Sequence, residues 1–198
     1  APILIHLITA VVSLFLWGKI LPQKILSLIG SILVLIFSII IFYLNQEWGS
    51  IVLFAGNWRP PYGITFVTDT LSTVMLLLTS IVGLAISIYS NAAVSHSRIK
   101  FGYFPIFHFL LMGLSGTFLT GDIFNMYVWF EIVIISSFVL LTLGGKRMQM
   151  EGAVKYMAMN MLASIIFLTA IGILYGITGS LNIADIGMKV RNIENQGL

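Results

Sequence analysis

The sequence predicts an all-α polytopic membrane protein with about six transmembrane helices. Of its 198 residues, 59% are hydrophobic and only 9% are charged, whereas about a quarter of the residues are charged in ordinary soluble domains. Its seven acidic and ten basic side chains are too few to cover the surface of a soluble globule of this size. Disordered chains have the opposite composition, with low hydrophobicity and many charges. The composition therefore places the chain in a lipid bilayer.

The composition also excludes several classes of function. The chain has no cysteine, which excludes a disulfide scaffold and a thiolate metal site. Its net charge of +3 is too small and too scattered for a nucleic-acid-binding surface. Its histidines lack metal-ligand spacing, and the sequence has no glycine-rich phosphate loop and no nucleophile-elbow serine. We therefore expect no cofactor, no metal and no catalysis by the chain itself.

Hydrophobic windows that are long enough to cross a bilayer define the predicted spans. Hydrocarbon about 30 Å thick requires roughly 20 apolar residues in a helix. Such windows cover about 3–21, 25–44, 69–90, 103–119, 122–143 and 153–177, which together form a helical bundle over 1–179. The segment 180–198 has the apolar spacing of an amphipathic helix that lies on the outer surface or against a partner, with Leu181, Ile183, Ile186, Val190 and Ile193 on the apolar face.

Two short runs between the second and third spans are rich in β-branched and aromatic residues. The runs at 50–55 and 63–67 flank a turn-forming cluster at 57–62, and this pattern predicts a short hairpin at the membrane interface. Trp48, Trp58 and Tyr62 are typical of an interfacial aromatic belt.

The distribution of charge predicts the orientation in the membrane. The loops after the first, third and fifth spans hold most of the basic residues, namely Lys19, Lys24, Arg98, Lys100, Lys146 and Arg147. The opposite face has only Arg59, Lys189 and Arg191, spread over a longer stretch. By the positive-inside rule, the basic loops lie in the cytoplasm, and the N-terminus, the hairpin and 180–198 are extracytoplasmic. We expect a multi-pass protein of the cell (inner) membrane.

Glu131 is the strongest candidate for a functional residue because it lies deep in a predicted span. It follows Asp122 by nine residues, which places it about 14 Å into the helix, near the bilayer midplane. Ionisable side chains at this depth are costly and are typical of ion or proton transport. Unless a cation approaches from another helix, desolvation favours the neutral form of a carboxyl at this depth, and a carboxyl tuned in this way can take up and release protons. The alternative interpretation is a structural carboxyl that is hydrogen-bonded across helices.

Two further ionisable residues are candidate partners of Glu131. Lys155 lies early in the sixth span, about 12 Å shallower than Glu131, so both a water-bridged link and simple snorkelling to the interface stay open. His108 lies at roughly the depth of Glu131 in the preceding antiparallel span. It is therefore either a proton relay to Glu131 or a hydrogen-bonded core histidine.

Other polar residues have structural interpretations. Asp69 and Asp122 open two spans and are predicted to cap the helices that follow. His6 is predicted to lie close to the outer face, in contact with water. Asn160 and Ser164 are four residues apart on one span and are predicted to bond across to a neighbouring helix.

Several longer motifs are similar to one known family. The chain contains YFPIFHFLLMG from Tyr103, GTFLTGDIFN from Gly116, YVWFE from Tyr127, AVKY from Ala153 and LYGITGSLN from Leu174. Together with the run at 69–72, these motifs resemble the D subunits of the Mrp-type multisubunit sodium/proton antiporters. Those subunits belong to a family of antiporter-like subunits shared with respiratory complex I and the membrane-bound hydrogenases.

The resemblance implies roles for two of the candidate residues and a larger architecture. It implies that Glu131 is the family's proton-handling glutamate and that Lys155 matches a lysine early in the following helix. The family pairs the glutamate with a lysine on a later helix, which would lie beyond residue 198. Family members are longer bundles with inverted repeats, so we expect the N-terminal portion of such a subunit.

The resemblance also implies the function and the partners. We expect an ion-translocating subunit of a monovalent cation/proton antiporter, with Glu131 transferring protons and no nucleic acid involved. Its partners would be other membrane subunits of the complex, the lipid bilayer, protons, and Na⁺ or another monovalent cation. One alternative is the matching proton-pumping subunit of a complex I-like NADH dehydrogenase or a membrane-bound hydrogenase. A second alternative is a helical scaffold that transports nothing.

Overall fold

The computed structural model describes residues 1–58 and 63–194 as a bundle of helices with one short hairpin. Arg59 and Tyr62 therefore lie outside the described residues, and so do the side chains from 192 onwards, including that of Ile193. The elements in chain order are α1 (Pro2–Phe15), α2 (Ile20–Trp48), β1 (Ile51–Phe54), a 3₁₀ turn (Ala55–Asn57), β2 (Thr65–Thr68), α3 (Thr70–Ala93), α4 (His96–Lys100), α5 (Tyr103–Leu119), α6 (Ile123–Thr142), α7 (Arg147–Thr178) and α8 (Ile183–Glu194).

Four of the described helices, α2, α3, α6 and α7, are long and apolar enough to cross a membrane. The chain is therefore a multi-pass membrane protein. Helices α1 and α5 are also apolar but have only 14 and 17 residues. The break after α1 falls earlier than predicted, because Pro22 lies inside α2. Proline is tolerated there, since an amide in the first helical turn has no intrahelical partner to lose.

Helices α2 and α3 bury mainly small and polar side chains and expose most of their large apolar ones. The buried face of α2 consists of Gln23, Ser27, Gly30, Ser31, Val34, Ser38 and Asn45. The buried face of α3 consists of Thr73, Leu76, Ser80, Gly83, Ser87 and Ser90. Lipid provides no hydrophobic force that drives helices together, so small side chains, which allow close approach, form the contacts between them.

Three connecting segments meet at one end of the bundle. Strand β1 pairs antiparallel with β2, so that Phe54 lies opposite Thr65. The amide of Gly121, between α5 and α6, donates to Thr65 O at 2.8 Å. The side chain of Asn182, between α7 and α8, donates from Nδ2 to Thr65 Oγ1 at 3.0 Å. We call the group formed by Thr65, Gly121, Asp122 and Asn182 the junction.

The basic loops meet at the opposite end of the bundle. Lys24 Nζ donates to the carbonyl oxygen of Asn91, which links the start of α2 to the end of α3. A pocket of about 350 Å³ lies between the loop after α3 and the loop after α6, and both Arg98 and Lys146 line it. The structure thus gathers these positive charges at one end, while the junction occupies the other.

The predicted exposure of His6 to water is wrong. His6 is only 2% exposed, because the face of α1 that carries it packs against α5. Thr9 and Ser13 on α1 are buried as well. The three residues are separated by intervals of three and four, which places them on one face of a helix. That face turns inward for the same reason as the small-residue faces of α2 and α3.

Gly116 allows α5 to approach α6 closely. A Cβ at this position would overlap the indole ring of Trp129, and overpacking of this kind costs about 1–3 kcal/mol. We therefore expect Gly116→Ala to lower the melting temperature of the purified protein. The matched control is Gly152→Ala in α7, where a Cβ meets no described atom within 4 Å. Equal melting temperatures for the two variants would contradict a tight α5–α6 contact.

Candidate functional site

The start of α6 is fixed by the junction. Asp122 Oδ1 accepts a hydrogen bond from the amide of Asn125 at 2.7 Å, so Asp122 caps α6 as predicted. The Asn125 side chain donates to Thr120 Oγ1 at 2.9 Å. The amide of Ile123 donates to Leu181 O at 2.9 Å, which ties α6 to the end of α7. These bonds fix the start of α6, and hence the position of Glu131, relative to the junction.

The predicted cap of α3 is also present, at the same end of the bundle. Asp69 Oδ1 accepts hydrogen bonds from the hydroxyl and the amide of Ser72. These two bonds, the side-chain bond above all, hold the pKa of Asp69 below its usual value. The carboxylate therefore stays ionised and satisfies the positive end of the helix dipole.

Glu131 is partly buried and faces α7. Ser164 Oγ donates a hydrogen bond to Glu131 Oε1, so Ser164 makes the predicted bond to a neighbouring helix. Asn160 does not, because its side chain donates to Tyr156 O at 2.7 Å within α7. A pocket of about 170 Å³ adjoins the carboxyl and is lined by Tyr127, Ile134, Met157, Asn160, Met161, Ser164, Ile165 and Leu168. The carboxyl thus has one hydroxyl partner and a mostly apolar wall.

Lys155 does not contact Glu131. Its Nζ lies 2.7 Å from Glu151 Oε1 on the same helix, and both side chains are exposed, at 73% and 63%. Lys155 precedes Ser164 by nine residues, a distance of about 14 Å along the axis of α7. The pocket beside Glu131 nevertheless reaches Met157, two residues from Lys155.

His108 is fully buried and bonds to residues other than Glu131. Its Nε2 lies 2.9 Å from Ser27 Oγ on α2, and its Nδ1 lies 3.0 Å from His6 Nδ1 on α1. Ser27 Oγ in turn lies 3.2 Å from Ser87 Oγ on α3. The structure therefore separates His108, whose partners are on α1 and α2, from Glu131, whose partner is on α7.

Sequence reasoning missed the involvement of His6, Ser27 and Ser87 in this cluster. The helical spacing of polar residues on α1 and α2 could have predicted it, since a polar stripe on an apolar helix marks the side that faces the protein.

In 1–58 and 63–194, the structure places no group of three or more His, Cys, Asp or Glu side chains where they could hold a metal ion.

Part of the chain matches a family model, and the whole of it is similar to curated proteins. Residues 120–198 match the family described as NADH:quinone oxidoreductase/Mrp antiporter, transmembrane. The chain is 40% identical to the D subunit of the Na(+)/H(+) antiporter of Alkalihalophilus pseudofirmus, over 89% of the chain and 36% of that protein. It is 37% identical to the corresponding D subunit of Bacillus subtilis, over 100% of the chain and 40% of that protein. The chain thus spans less than half the length of these relatives.

Two solved structures share the arrangement of the helices. The archaeal membrane-bound sulfane sulfur reductase, a respiratory membrane complex, contains a chain with a TM-score of 0.89 and 29% identity, covering 94% of this chain and 39% of that one. The Mrp complex from Dietzia sp. DQ12-45-1b contains a chain with a TM-score of 0.86 and 27% identity, covering 92% of this chain and 34% of that one.

Substitution of Asp122 tests whether its side chain stabilises the N-terminus of α6. Removal of a capping side chain costs about 1 kcal/mol, so we expect Asp122→Ala to lower the melting temperature of the purified protein. Asp122→Asn, which keeps a side-chain oxygen, should lower it less. Glu47→Ala is the control, because Glu47 is exposed at the end of α2, and substitutions at exposed positions change stability little. The capping role fails if Asp122→Ala is as stable as the control.

Proposed function

We propose that the chain is part of the ion-translocating D subunit of a multisubunit Na⁺/H⁺ antiporter. Residues 120–198 match the transmembrane domain of the NADH:quinone oxidoreductase/Mrp antiporter family, as the sequence resemblance predicted. Two relatives at 37% and 40% identity, both named as D subunits of Na(+)/H(+) antiporters, support this proposal. The structural similarity to a chain of an Mrp complex supports it as well.

The observation that carries the mechanism is the pairing of the Glu131 carboxyl with the Ser164 hydroxyl beside a pocket. A serine hydroxyl can donate to a carboxylate and can accept from a protonated carboxyl. Ser164 therefore satisfies Glu131 in both protonation states without a change of partner. We propose that Glu131 takes up and releases a proton through the pocket, and that the resulting change of charge is felt by the exchanged cation.

Lys155 is the proposed electrostatic partner or relay at the basic end of the same path. The pocket extends along α7 from Leu168 through Ser164 to Met157, and Lys155 follows within one helical turn. Water in this pocket would connect the ammonium to Glu131 over a distance that the side chains do not bridge directly. In the described structure the ammonium is paired with Glu151, one helical turn further from the pocket.

The proposed setting is the cell (inner) membrane. Helices α1 and α5 would cross with α2, α3, α6 and α7, giving six spans. The end that carries Lys24, Arg98 and Lys146 would face the cytoplasm by the positive-inside rule, and the N-terminus, the hairpin and α8 would be extracytoplasmic. Other membrane subunits of the antiporter are the proposed partners, with protons and a monovalent cation as the transported ions.

A subunit of a respiratory complex is the second candidate function, because a chain of the membrane-bound sulfane sulfur reductase complex has the same helix arrangement. In that case the chain would be a proton-pumping subunit of a complex I-like or hydrogenase-like assembly. Native mass spectrometry of the purified complex distinguishes the two candidates. Iron–sulfur or nickel subunits that copurify would indicate the redox machine, whereas an assembly with only membrane antiporter subunits would indicate the antiporter.

Substitution of Glu131 tests the proposed mechanism directly. We expect Glu131→Ala and Glu131→Gln to abolish Na⁺-driven proton movement in everted vesicles, because neither side chain can carry a proton. The complex should still assemble, which a pull-down of the tagged subunit would show. Glu47→Gln is the matched control, since Glu47 is exposed at the end of α2 and should keep activity. Full activity of Glu131→Gln would instead indicate a helical scaffold with a structural hydrogen bond at this position.

A swap of the charges at Glu151 and Lys155 tests the role of Lys155. The double variant Glu151→Lys with Lys155→Glu preserves the surface ion pair but moves the positive charge one helical turn away from the pocket. If Lys155 is the electrostatic partner of Glu131, the double variant should lose antiport and alter its pH dependence. Normal activity in the same vesicle assay would show that Lys155 serves only the surface pair.

A further inference from the structure

We propose that Ser87, Ser27, His108 and His6 form a proton-conducting chain that is separate from the Glu131 site. The four side chains come from α3, α2, α5 and α1, and their relative exposures are 0%, 0%, 0% and 2%. Consecutive polar atoms along the chain lie 3.2, 2.9 and 3.0 Å apart. Each link is therefore a hydrogen bond, and no link is long enough to need a bridging water.

The hydrogen-bonding chemistry allows two arrangements of this chain. A neutral imidazole has one N–H donor and one acceptor nitrogen. In the first arrangement the Ser87 hydroxyl donates to Ser27, Ser27 donates to His108 Nε2, and His108 Nδ1 donates to His6 Nδ1. In the second arrangement every donor is reversed. Both arrangements satisfy all three links, and both leave the four residues neutral.

The two arrangements interconvert when one proton passes through the chain. A proton that reaches the Ser87 oxygen displaces the proton of Ser87 to Ser27, and the proton of Ser27 to His108 Nε2. His108 then passes its Nδ1 proton to His6 Nδ1, and His6 releases the proton on its Nε2. One proton enters at Ser87 and one leaves at His6, so the charge of the chain is unchanged.

Buried polar groups continue the chain beyond its Ser87–Ser27 end. Towards the basic end, Ser90 follows Ser87 on α3 and bonds to the hydroxyl of Tyr103 at 2.7 Å. On α2, Gln23 and Ser31 lie one turn to either side of Ser27, and Gln23 Oε1 and Ser31 Oγ are buried without a hydrogen-bond partner among the described residues. Buried polar atoms of this kind are normally satisfied by water. Water held by these atoms would lie beside the Ser27–Ser87 link and supply protons to the entrance of the chain.

The charges on the surrounding helices do not compete for the two imidazoles. On α2 the charged group nearest in sequence to Ser27 is Lys24, whose ammonium donates to Asn91 O. On α4, Arg98 lines the basic pocket, and His96 and Lys100 are exposed. On α6, Glu131 bonds to Ser164 of α7. The described parts of α1, α3 and α5 contribute no acidic or basic side chain besides His6 and His108.

Hydrogen–deuterium exchange at the Cε1 atom of histidine tests this proposal in the intact complex. The exchange passes through the imidazolium, which forms whenever a deuteron from solvent is held on the ring and then loses its Cε1 proton to solvent base, and peptide mass spectrometry reads each histidine separately. We expect His6 and His108 to exchange measurably, although they are buried, with the exposed His96 as the internal reference. An absence of exchange at His6 and His108 while His96 exchanges would overturn the proposal.

Two serine variants on α2 provide a matched comparison. Ser27→Ala removes the link to His108, and the loss of one such hydrogen bond should slow the exchange at both histidines by about tenfold. Ser38→Ala removes an equally buried hydroxyl that bonds only to Val34 O of its own helix, so the exchange should be unchanged. Equal rates in the two variants would contradict the chain. Loss of exchange in Glu131→Gln would contradict its separation from the Glu131 site, whatever the antiport activity of that variant.

Discussion

In hydrocarbon there is no water to replace a lost hydrogen bond, so each polar side chain of a membrane helix needs a partner within the protein. This constraint determines which face of each helix turns inward. On α2 and α3 the inward faces consist mainly of serines, threonines and glycines, and most isoleucines and leucines, though not Leu76, face outward. The close approach of these helices then brings Ser27 and Ser87 within hydrogen-bond distance. The same constraint pairs Ser164 with the one carboxyl in the middle of α6.

The bundle thus has two polar centres that differ in chemistry. The centre among α1, α2, α3 and α5 contains buried hydroxyls and imidazoles that can exchange donor and acceptor roles. The centre between α6 and α7 contains a carboxyl beside a pocket of about 170 Å³. The centre with the two histidines can pass protons without changing its charge. At the centre with Glu131, the binding of a proton changes the local charge. Only the second can act electrostatically on a cation.

Much of this organisation follows from the sequence, because it depends on local patterns. Hydropathy predicts the long helices, and the carboxyls of Asp69 and Asp122 predict caps that the structure confirms. The Ser164 contact was predictable since α6 and α7 are consecutive and antiparallel. The His6–His108 contact was not, because it depends on α1 packing against α5 across a separation of 102 residues. Counting residues gives the depth of a side chain in the membrane but not the direction in which it points around the helix axis.

The position of Glu131 requires protein, rather than lipid, on the outer side of α7. Of the 32 residues of α7, only Ala153, Ile171 and Thr178 are buried within the described bundle, so the outer side of this helix presents a long apolar surface. The pocket beside Glu131 lies at this edge. A carboxylate that faced lipid there would cost about 2.5–3.5 kcal/mol, which would suppress the ionised state that the proposed mechanism needs. Further protein packed against α7 would replace that lipid and supply polar partners. The carboxyl is therefore expected to cycle between its two states only in the assembled complex, where the variants of Glu131 have to be measured.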